Sequence, residues 1–467
     1  MNYYNSRYNF CFDTEEGMLF YNSKTGSTTI FKGKHAHVLK ELLTGDKKVI
    51  PDSTFDTTVL DTITRNGFLV NDNRDELEEI RELYWKSRGE TPMVITLTTT
   101  MDCNLGCYYC YESRSKKKLE FYDIDPIIGY IDERIKKTGK KSLHIDWYGG
   151  EPLLNLDFLE KASRKIQDYC KKNKIIYHAS IISNGTLWPD DLSAFIQNHK
   201  IRQVQISFDG LKDNHNSRRK YRKEYLEESE NNSFDKTFEL VENLLDHVRV
   251  DIRFNIDWKN KDDIFEFLEI IIEKGWFLKK FPAIFQPAKL ASYSEKSSFM
   301  EKVQLKEVEY DAITKKVSTR LLNIGKVEES ETPDGFPFPK TYVCAALAND
   351  SVVVGADKLL YRCGLQVGET HRAVGALENK PGKVYTDSNW WSNFDPTTLP
   401  SCSKCSFLPV CLAGCPKKHL ENDQNALNEQ SLFWQTNLEK KVVSFLGYSS
   451  ISNAPLTNPD QFRNGYD

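Results

Sequence analysis

No run of about 18 apolar residues occurs in the 467-residue chain, so a membrane-spanning helix is not expected. The opening residues, Met1-Asn2-Tyr3-Tyr4-Asn5-Ser6, lack the apolar core of a signal peptide, and the chain reads as a soluble cytoplasmic protein with no membrane partner. Charge of one sign is also missing. The 63 lysines and arginines stand against 67 aspartates and glutamates, a formal net charge of −4. That balance argues against a general nucleic-acid binder, so no nucleic-acid partner is expected.

Cysteine is what the chain has. Eleven cysteines in a cytoplasmic protein are not expected to form disulfides, and their placement carries the information. Cys103, Cys107 and Cys110 share one short loop, six more lie at 344, 363, 402, 405, 411 and 415, and only Cys11 and Cys170 stand alone. The two isolated thiols read as small buried apolar groups. The loop follows Met93-Val94-Ile95-Thr96-Leu97-Thr98-Thr99, a β-branched, apolar run that predicts a strand. Three thiolates on a strand-end loop can hold three irons of a cubane cluster and leave the fourth open. Zinc is the rival, but it takes four closed ligands in structural sites, and no histidine lies near this loop.

At this length two to four domains are expected. Residues 1–90 read as a small module: strands at 8–12, 18–22 and 28–31, helices at 35–43 and 57–66 stopped by Gly67, and a charged helix from Asp75. From 91 to 291 strands (93–99, 143–148, 175–182, 203–208, 249–257, 282–287) alternate with helices (123–137, 156–172, 189–199, 234–246, 261–274). Six such units predict an α/β fold, a partial (β/α)6 barrel with a lateral opening suited to a bulky substrate. Residues 292–340 read as a connecting helix (302–321) and an acidic, proline-rich linker, and 425–467 as a helix and tail. Between them, 341–424 carries the second cysteine group, with a hairpin predicted from Ser351 to Arg362.

The predicted strand ends carry Gly149-Gly150-Glu151-Pro152, Ser183-Asn184-Gly185-Thr186, Ser207-Phe208-Asp209-Gly210 and Arg218-Arg219. Gly-Gly or Asn-Gly alone marks a turn. Several at the same end of one barrel point to a ligand approached closely by backbone.

Cys103, Cys107 and Cys110, with Tyr109 in the aromatic position, match the C-x3-C-x-aromatic-C loop of the radical S-adenosylmethionine (SAM) superfamily, and Gly149–Pro152 matches that superfamily's methionine-amine motif. The resemblance implies a [4Fe-4S] cluster on the three cysteines and SAM as cofactor. It implies Gly149, Gly150 and Glu151 at the amine, Ser207 and Arg219 (or Arg218) at the carboxylate or ribose, Ser183 and Asn184 near ribose or adenine, and Tyr109 on adenine. A solvated basic face is the other reading of Arg218–Lys220.

Cys344, Cys363, Cys402, Cys405, Cys411 and Cys415 resemble the SPASM domain of peptide maturases, which carries auxiliary clusters. By that resemblance Cys344, Cys363 and Cys415 hold an inner cluster, and Cys402, Cys405 and Cys411 an outer one. A zinc ribbon is the alternative. The pattern departs from the family in having no cysteine after Cys415, so His419 or Asp423 enters as a fourth ligand of the outer cluster. The inner cluster also lacks a fourth cysteine. Gly364 stands where some oxidative maturases place an acidic base, which counts against formylglycine-type oxidation.

Residues 1–90 resemble the winged-helix-like element that recognises leader peptides of ribosomally made precursors; a plain structural cap is the alternative. The expected function is radical modification of a precursor peptide, most simply a thioether or carbon–carbon cross-link, with a flavodoxin or ferredoxin as reductant. The rivals are oxidation, epimerisation or decarboxylation by the same barrel, and a non-catalytic metal-binding module that recognises peptides.

Overall fold

The computed structural model describes residues 3–44, 57–71, 73–112, 114–225, 232–292, 295–324, 335–378, 384–450 and 456. The expected linker residues 325–334 and most of the tail beyond 450 lie outside them. The chain divides into two compact units: Met1–Glu90 with Glu329–Ala348 and Asn393–Asp467, and Thr91–Glu328 with Asn349–Ser392.

In the first unit, β1 (Tyr3–Asn5) precedes an antiparallel meander of β2 (Asn9–Thr14), β3 (Gly17–Asn22) and β4 (Thr28–Phe31). Helices α1 (Lys34–Thr44) and α2 (Thr57–Arg65) follow, then β5 (Leu69–Asn71), which pairs with β1, and α3 (Glu76–Glu90). Gly67, at φ +78°, stops α2 where the sequence places the stop. Side chains alternate along β3, so it is buried on both faces. Met18 and Phe20 pack on Leu39, Leu43, Ile63 and Phe68. Leu19 and Tyr21, with Phe10 and Phe12 of β2, pack on Phe407, Val410, Leu438, Val442 and Val443. The segment carrying Cys402, Cys405 and Cys411 therefore shares a core with the N-terminal meander. Further bonds tie it there: Arg7 Nη1 donates to the Ser403 carbonyl at 2.9 Å and Ser23 Oγ to that of Ser406 at 2.6 Å.

In the second unit the predicted alternation is present. Strands β6 (Met93–Thr98), β7 (Ser142–Tyr148), β8 (Ile176–Ser183), β9 (Ile201–Phe208), β10 (Arg249–Ile256) and β11 (Ile284–Lys289) lie parallel in chain order. Between them run α4 (Ile124–Thr138), α5 (Leu156–Lys172), α6 (Leu192–His199), α7 (Lys212–Arg218), α8 (Ser233–Leu244) and α9 (Asp263–Glu273), with α10 (Glu307–Asn323) after β11. Two helix starts differ most from expectation. The helix placed at 189–199 starts at Leu192, because Asp191 caps it by accepting from Ala194 N at 2.9 Å. The helix placed at 302–321 starts at Glu307, after a 3-10 stretch over Glu295–Lys302.

The predicted hairpin is β12 (Ser351–Val354) with β13 (Leu359–Tyr361), but it does not stand apart. β12 pairs parallel with β6, Ser351 opposite Val94, and β14 (Gly375–Ala376) pairs with β13, giving one nine-stranded sheet. This unit is thus an α/β partial barrel.

Alternation sorts the barrel strands into two faces. Ile95, Ile145, Trp147, Ile181, Val204, Ile206, Phe208, Ile252 and Phe254 are wholly buried in the core shared with the helices. Fully burying one such aliphatic or phenylalanine side chain stabilises the fold by roughly 1.5–3 kcal/mol. The opposite face is polar: His144, Asp146, Tyr148, Ser180, Gln205, Ser207, Asp251, Arg253 and Asn255. Among the described residues no helix is long and apolar enough to cross a membrane.

His215 of α7 is fully buried, with ring centroids 5.4 Å from Phe208 and 5.5 Å from Phe234. Burial first, then the Arg219 and Arg218 charges, depress its pKa to about 3. An unfolded imidazole titrates near about 6.5, so on acidification the unfolded state takes up the proton first. This contribution to stability is complete above that pH and is lost as pH falls from there toward the folded value. Thermal unfolding temperatures should drop between about pH 7 and pH 5, and His215→Phe should flatten that slope.

Candidate functional site

The end of β7 lies against the start of the cysteine loop. Gly150 N donates to the Thr100 carbonyl at 3.0 Å and Glu151 N to that of Asp102 at 2.9 Å. A Cβ on Gly149 would stand 2.4 Å from Thr100 O, and one on Gly150 2.2 Å from Asp102 O and 3.2 Å from Cys103 Cβ. Only glycine admits that approach at both positions.

Residues 220–225, after α7, hold the loop from another side. Gly106 N donates to Lys220 O at 2.7 Å and Arg222 N to Asn104 O at 2.9 Å. The Arg222 guanidinium donates to Cys103 O at 2.8 Å. The Asp102 carboxylate gathers Arg222, Lys116 at 2.6 Å and the Tyr225 hydroxyl. Burial works to raise the Asp102 pKa, but the bonds from Lys116, Tyr225 and Arg222 outweigh it and hold it at about 2. This clamp is absent from the sequence reading, since Asp102, Lys116 and Arg222 stand in no recognisable motif.

Cys103, Cys107 and Cys110 are half-buried. Burial raises all three thiol pKa values; Cys107 raises both others as well, and Cys110 rises to about 11. Cys107 thus lies near enough to both other thiols for its charge to act on them. Among the described residues no three His, Cys, Asp or Glu side chains converge as ligands of a single ion. A cubane needs a different arrangement: each thiolate takes its own iron, and the metal's charge keeps it deprotonated. The donor set on this loop fits a [4Fe-4S] cluster.

Glu151 is wholly buried. Its carboxylate accepts from Asn184 N at 2.7 Å, Ser183 Oγ at 3.0 Å and Leu153 N at 3.2 Å. Burial nevertheless lifts its pKa to about 7. Ser183 Oγ in turn accepts from Gly185 N at 3.0 Å and Trp188 Nε1 at 3.1 Å. Glu151 and Ser183 therefore knit the ends of β7 and β8 together. Asn184 reaches the cysteine loop: its amide donates to Asn104 Oδ1 at 2.7 Å and approaches Cys103 Sγ at 3.7 Å.

Arg218 and Arg219 are each only 6% exposed, which removes the solvated-face reading. Arg219 Nη1 donates to the Tyr109 hydroxyl at 2.8 Å and Asp209 at 3.2 Å, while Arg218 meets both Asp257 oxygens at 2.9 and 3.3 Å. Asn255 donates to Asp209 at 3.1 Å, and Tyr108 to Asp257 at 2.8 Å. The first partners of both arginines are thus protein groups. Asp209 Oδ2 and Arg219 Nε remain buried without a hydrogen-bond partner, and such capacity needs a reason. The Ser207 hydroxyl has no hydrogen-bond partner among the described residues and lies on the polar barrel face. Asn255 and Asp257 escaped the sequence reading, although their placement at the end of β10 was a usable signal.

Tyr148, at the end of β7, is 2.6 Å from the Tyr111 hydroxyl and donates to Glu112, whose pKa burial raises to about 7.

Of the second cysteine group, Cys402, Cys405 and Cys411 share one neighbourhood. Burial raises the Cys411 thiol to about 12 with Cys405 and Cys402 adding to it, and Cys402 is raised by burial with Cys405 adding. Between Cys411 and Cys415 the backbone of Leu412, Ala413 and Gly414 is left-handed, at φ +47°, +60° and +76°. That conformation costs roughly 1–2 kcal/mol for each non-glycine residue. His419 Nε2 bonds the Ala413 carbonyl at 2.8 Å, and Asp423 caps the helix Gln424–Phe445 by accepting from Ala426 N at 3.1 Å, so both candidate fourth ligands have other partners. Cys344 and Cys415 are exposed in the first unit, and half-buried Cys363 belongs to the second.

Hydrogen bonds to cluster sulfurs raise reduction potentials. Replacing Asn184 with leucine should lower the potential of the cluster reconstituted on Cys103, Cys107 and Cys110, read by spectroscopically monitored redox titration. An unchanged potential would confine Asn184 to loop packing.

Residues 97–271 match the model of the radical SAM superfamily. Over 177 residues the chain is 28% identical to the radical SAM cyclopropyl synthase TigE of Paramaledivibacter caminithermalis, covering 34% of this chain and 36% of that protein. Over 117 residues it is 29% identical to a probable GTP 3′,8-cyclase of Methanocaldococcus jannaschii, covering 25% of this chain and 36% of the cyclase. The chain thus spans little more than a third of these relatives' lengths. Native anSMEcpe, solved with bound AdoMet and a peptide, superposes with a TM-score of 0.55 at 20% identity, over 76% of this chain and 99% of that one. At that identity the likeness establishes the fold. The part of the chain that carries Cys103, Cys107, Cys110 and Gly149–Glu151 is thus the part that matches the radical SAM superfamily.

Proposed function

We propose that this chain modifies a ribosomally synthesised precursor peptide by radical chemistry in the barrel, most simply by joining two side chains through a thioether or carbon–carbon bond. The observation that carries the reading is the cysteine loop docked on Gly149 and Gly150, beside a barrel face lined with polar side chains. When bound, SAM and a reduced cluster supply a 5′-deoxyadenosyl radical that takes a hydrogen atom from an unactivated carbon.

The chain's own residues orient and shield. Cys103, Cys107 and Cys110 would hold the cluster, and the backbone at Gly149 and Gly150 the amine end of SAM. Tyr109, fixed through its hydroxyl by Arg219, would pack on adenine, and Ser207 would meet the ribose or carboxylate. Glu151, Ser183 and Asn184 keep the strand ends and the loop in register, which excludes water from the reacting groups. Cys344, Cys363, Cys402, Cys405, Cys411 and Cys415 are proposed ligands of two auxiliary clusters in a SPASM-type region, which would carry away the electron left after bond formation. The first ninety residues would receive the precursor's leader, a flavodoxin or ferredoxin the reductant's role, and the cytoplasm the whole reaction.

Replacing Cys103, Cys107 and Cys110 together by alanine should abolish 5′-deoxyadenosine formation; unchanged production would sink the reading. A product two hydrogens lighter than its precursor supports cross-linking or desaturation, whereas unchanged mass indicates epimerisation. Anaerobic iron analysis should give roughly twelve irons per chain, at about four per cluster, and about four fewer when Cys402, Cys405 and Cys411 are replaced. Zinc in place of iron would return the chain to the class of peptide-interaction modules.

A further inference from the structure

We propose that Arg253, with Gln286 beside it in register, anchors a carboxylate of the peptide substrate inside the barrel. The proposal rests on the peptide-modifying reading above and adds a chemical requirement on the substrate. A cavity of about 320 Å³ lies along β10 and β11, lined among others by Gln205, Asp251, Arg253, Gln286, Lys289 and Tyr310.

Its charges are compensated except at one place. Asp251 is paired with Arg249 at 3.0 Å and accepts from Gln203. Lys289 is paired with Glu307. The Arg253 guanidinium makes one side-chain hydrogen bond, Nε to Asn255 Oδ1 at 3.1 Å. Among the described residues it is in no ion pair, and both terminal nitrogens are left over. A half-buried guanidinium with an idle fork is matched by a planar anion, which it can grip through two parallel bonds.

A neighbouring strand supplies the flank. Arg253 is opposite Gln286 on β11. Strands are about 4.8 Å apart, so a side-chain amide stands beside the guanidinium, and it has no hydrogen-bond partner among the described residues. Position adds to this. Asn255, which holds Arg253 Nε, donates to the Tyr109 hydroxyl at 3.4 Å, and the Arg253 charge is among those acting on Tyr111, next to Cys110. A carboxylate held here would keep the carbon chain attached to it beside the cysteine loop.

The carboxylate could belong to an acidic side chain or to a chain terminus, and two probes separate them. Nα-acetylglutamate α-amide carries only the first and Nα-acetylglycine only the second, while Nα-acetylglutamine amide is the uncharged control. Binding to the full-length, cluster-loaded protein is followed by ligand-observed NMR. A carboxylate probe should bind saturably where the control does not. Arg253→Met should weaken it at least about tenfold, with Arg253→Lys retaining part of the affinity and Gln286→Leu losing several-fold. The tighter of the two probes names the source.

Equal binding of probe and control, no binding of either probe, or unchanged affinity in Arg253→Met would overturn the proposal. So would a loss confined to SAM, which would assign the cation to the cofactor's own carboxylate. Should Arg253→Met fail to fold, the lysine and Gln286 variants carry the test. Uncoupled SAM cleavage by the unsubstituted protein checks the enzymatic reading separately: its failure with carboxylate binding intact would remove the reading and leave the anchor.

Discussion

Two glycines set the distance between the end of β7 and the cysteine loop, and much of the site depends on that distance. With Gly149 and Gly150 in place, the backbone of Thr100–Asp102 runs beside Gly150–Glu151 as an extra hydrogen-bonded pair, and Cys103 starts from a defined point. The Glu151 carboxylate, swung inward by the same turn, then collects the end of β8. From there Asn184 reaches back to Asn104 and Cys103. A short circuit of β7, β8 and the loop results, in which each link is a hydrogen bond to a group already held by another. Such circuits hold their members more tightly than isolated pairs do.

Charge is handled differently on the other side of the loop. Two arginines and two aspartates are buried together, with Tyr108 and Tyr109 of the loop as hydroxyl partners. Burying four charges is costly unless each is paired and hydrogen-bonded, and here the pairing draws on β9, β10, α7 and the loop. Removing one partner would leave the opposite charge exposed to a low-dielectric interior. The network is therefore better understood as fixing the loop's geometry than as adding stability.

The alternation of strands and helices from Met93 to Lys289 was legible because hydrophobic spacing determines it locally. The cysteine and glycine motifs were legible because their chemistry requires those residue types at those spacings. What sequence did not reveal were relations between distant segments. Val352-Val353-Val354 reads as a buried strand whichever sheet receives it, and nothing local says that it joins β6. Phe10 and Phe407, with ring centroids 5.0 Å apart, are nearly 400 residues apart in the chain, so the shared core of the meander and the cysteine segment was out of reach. Roles were also less legible than membership. Glu151, Asn184 and Arg219 stood out as site residues, yet their hydrogen bonds go first to protein groups, because a motif records which residue is required and not which atom it serves.

The central proposal is that Cys103, Cys107 and Cys110 would hold a cluster and that the Gly149–Gly150 turn would hold the amine end of SAM beside it. Pulsed electron–nuclear double resonance on the reduced, reconstituted protein, with SAM labelled by 15N at its amine and 17O at its carboxylate, tests it directly. The account predicts hyperfine coupling of both labels to the cluster, as expected of ligands on one iron. Coupling to neither, with the cluster intact and SAM bound, would contradict it.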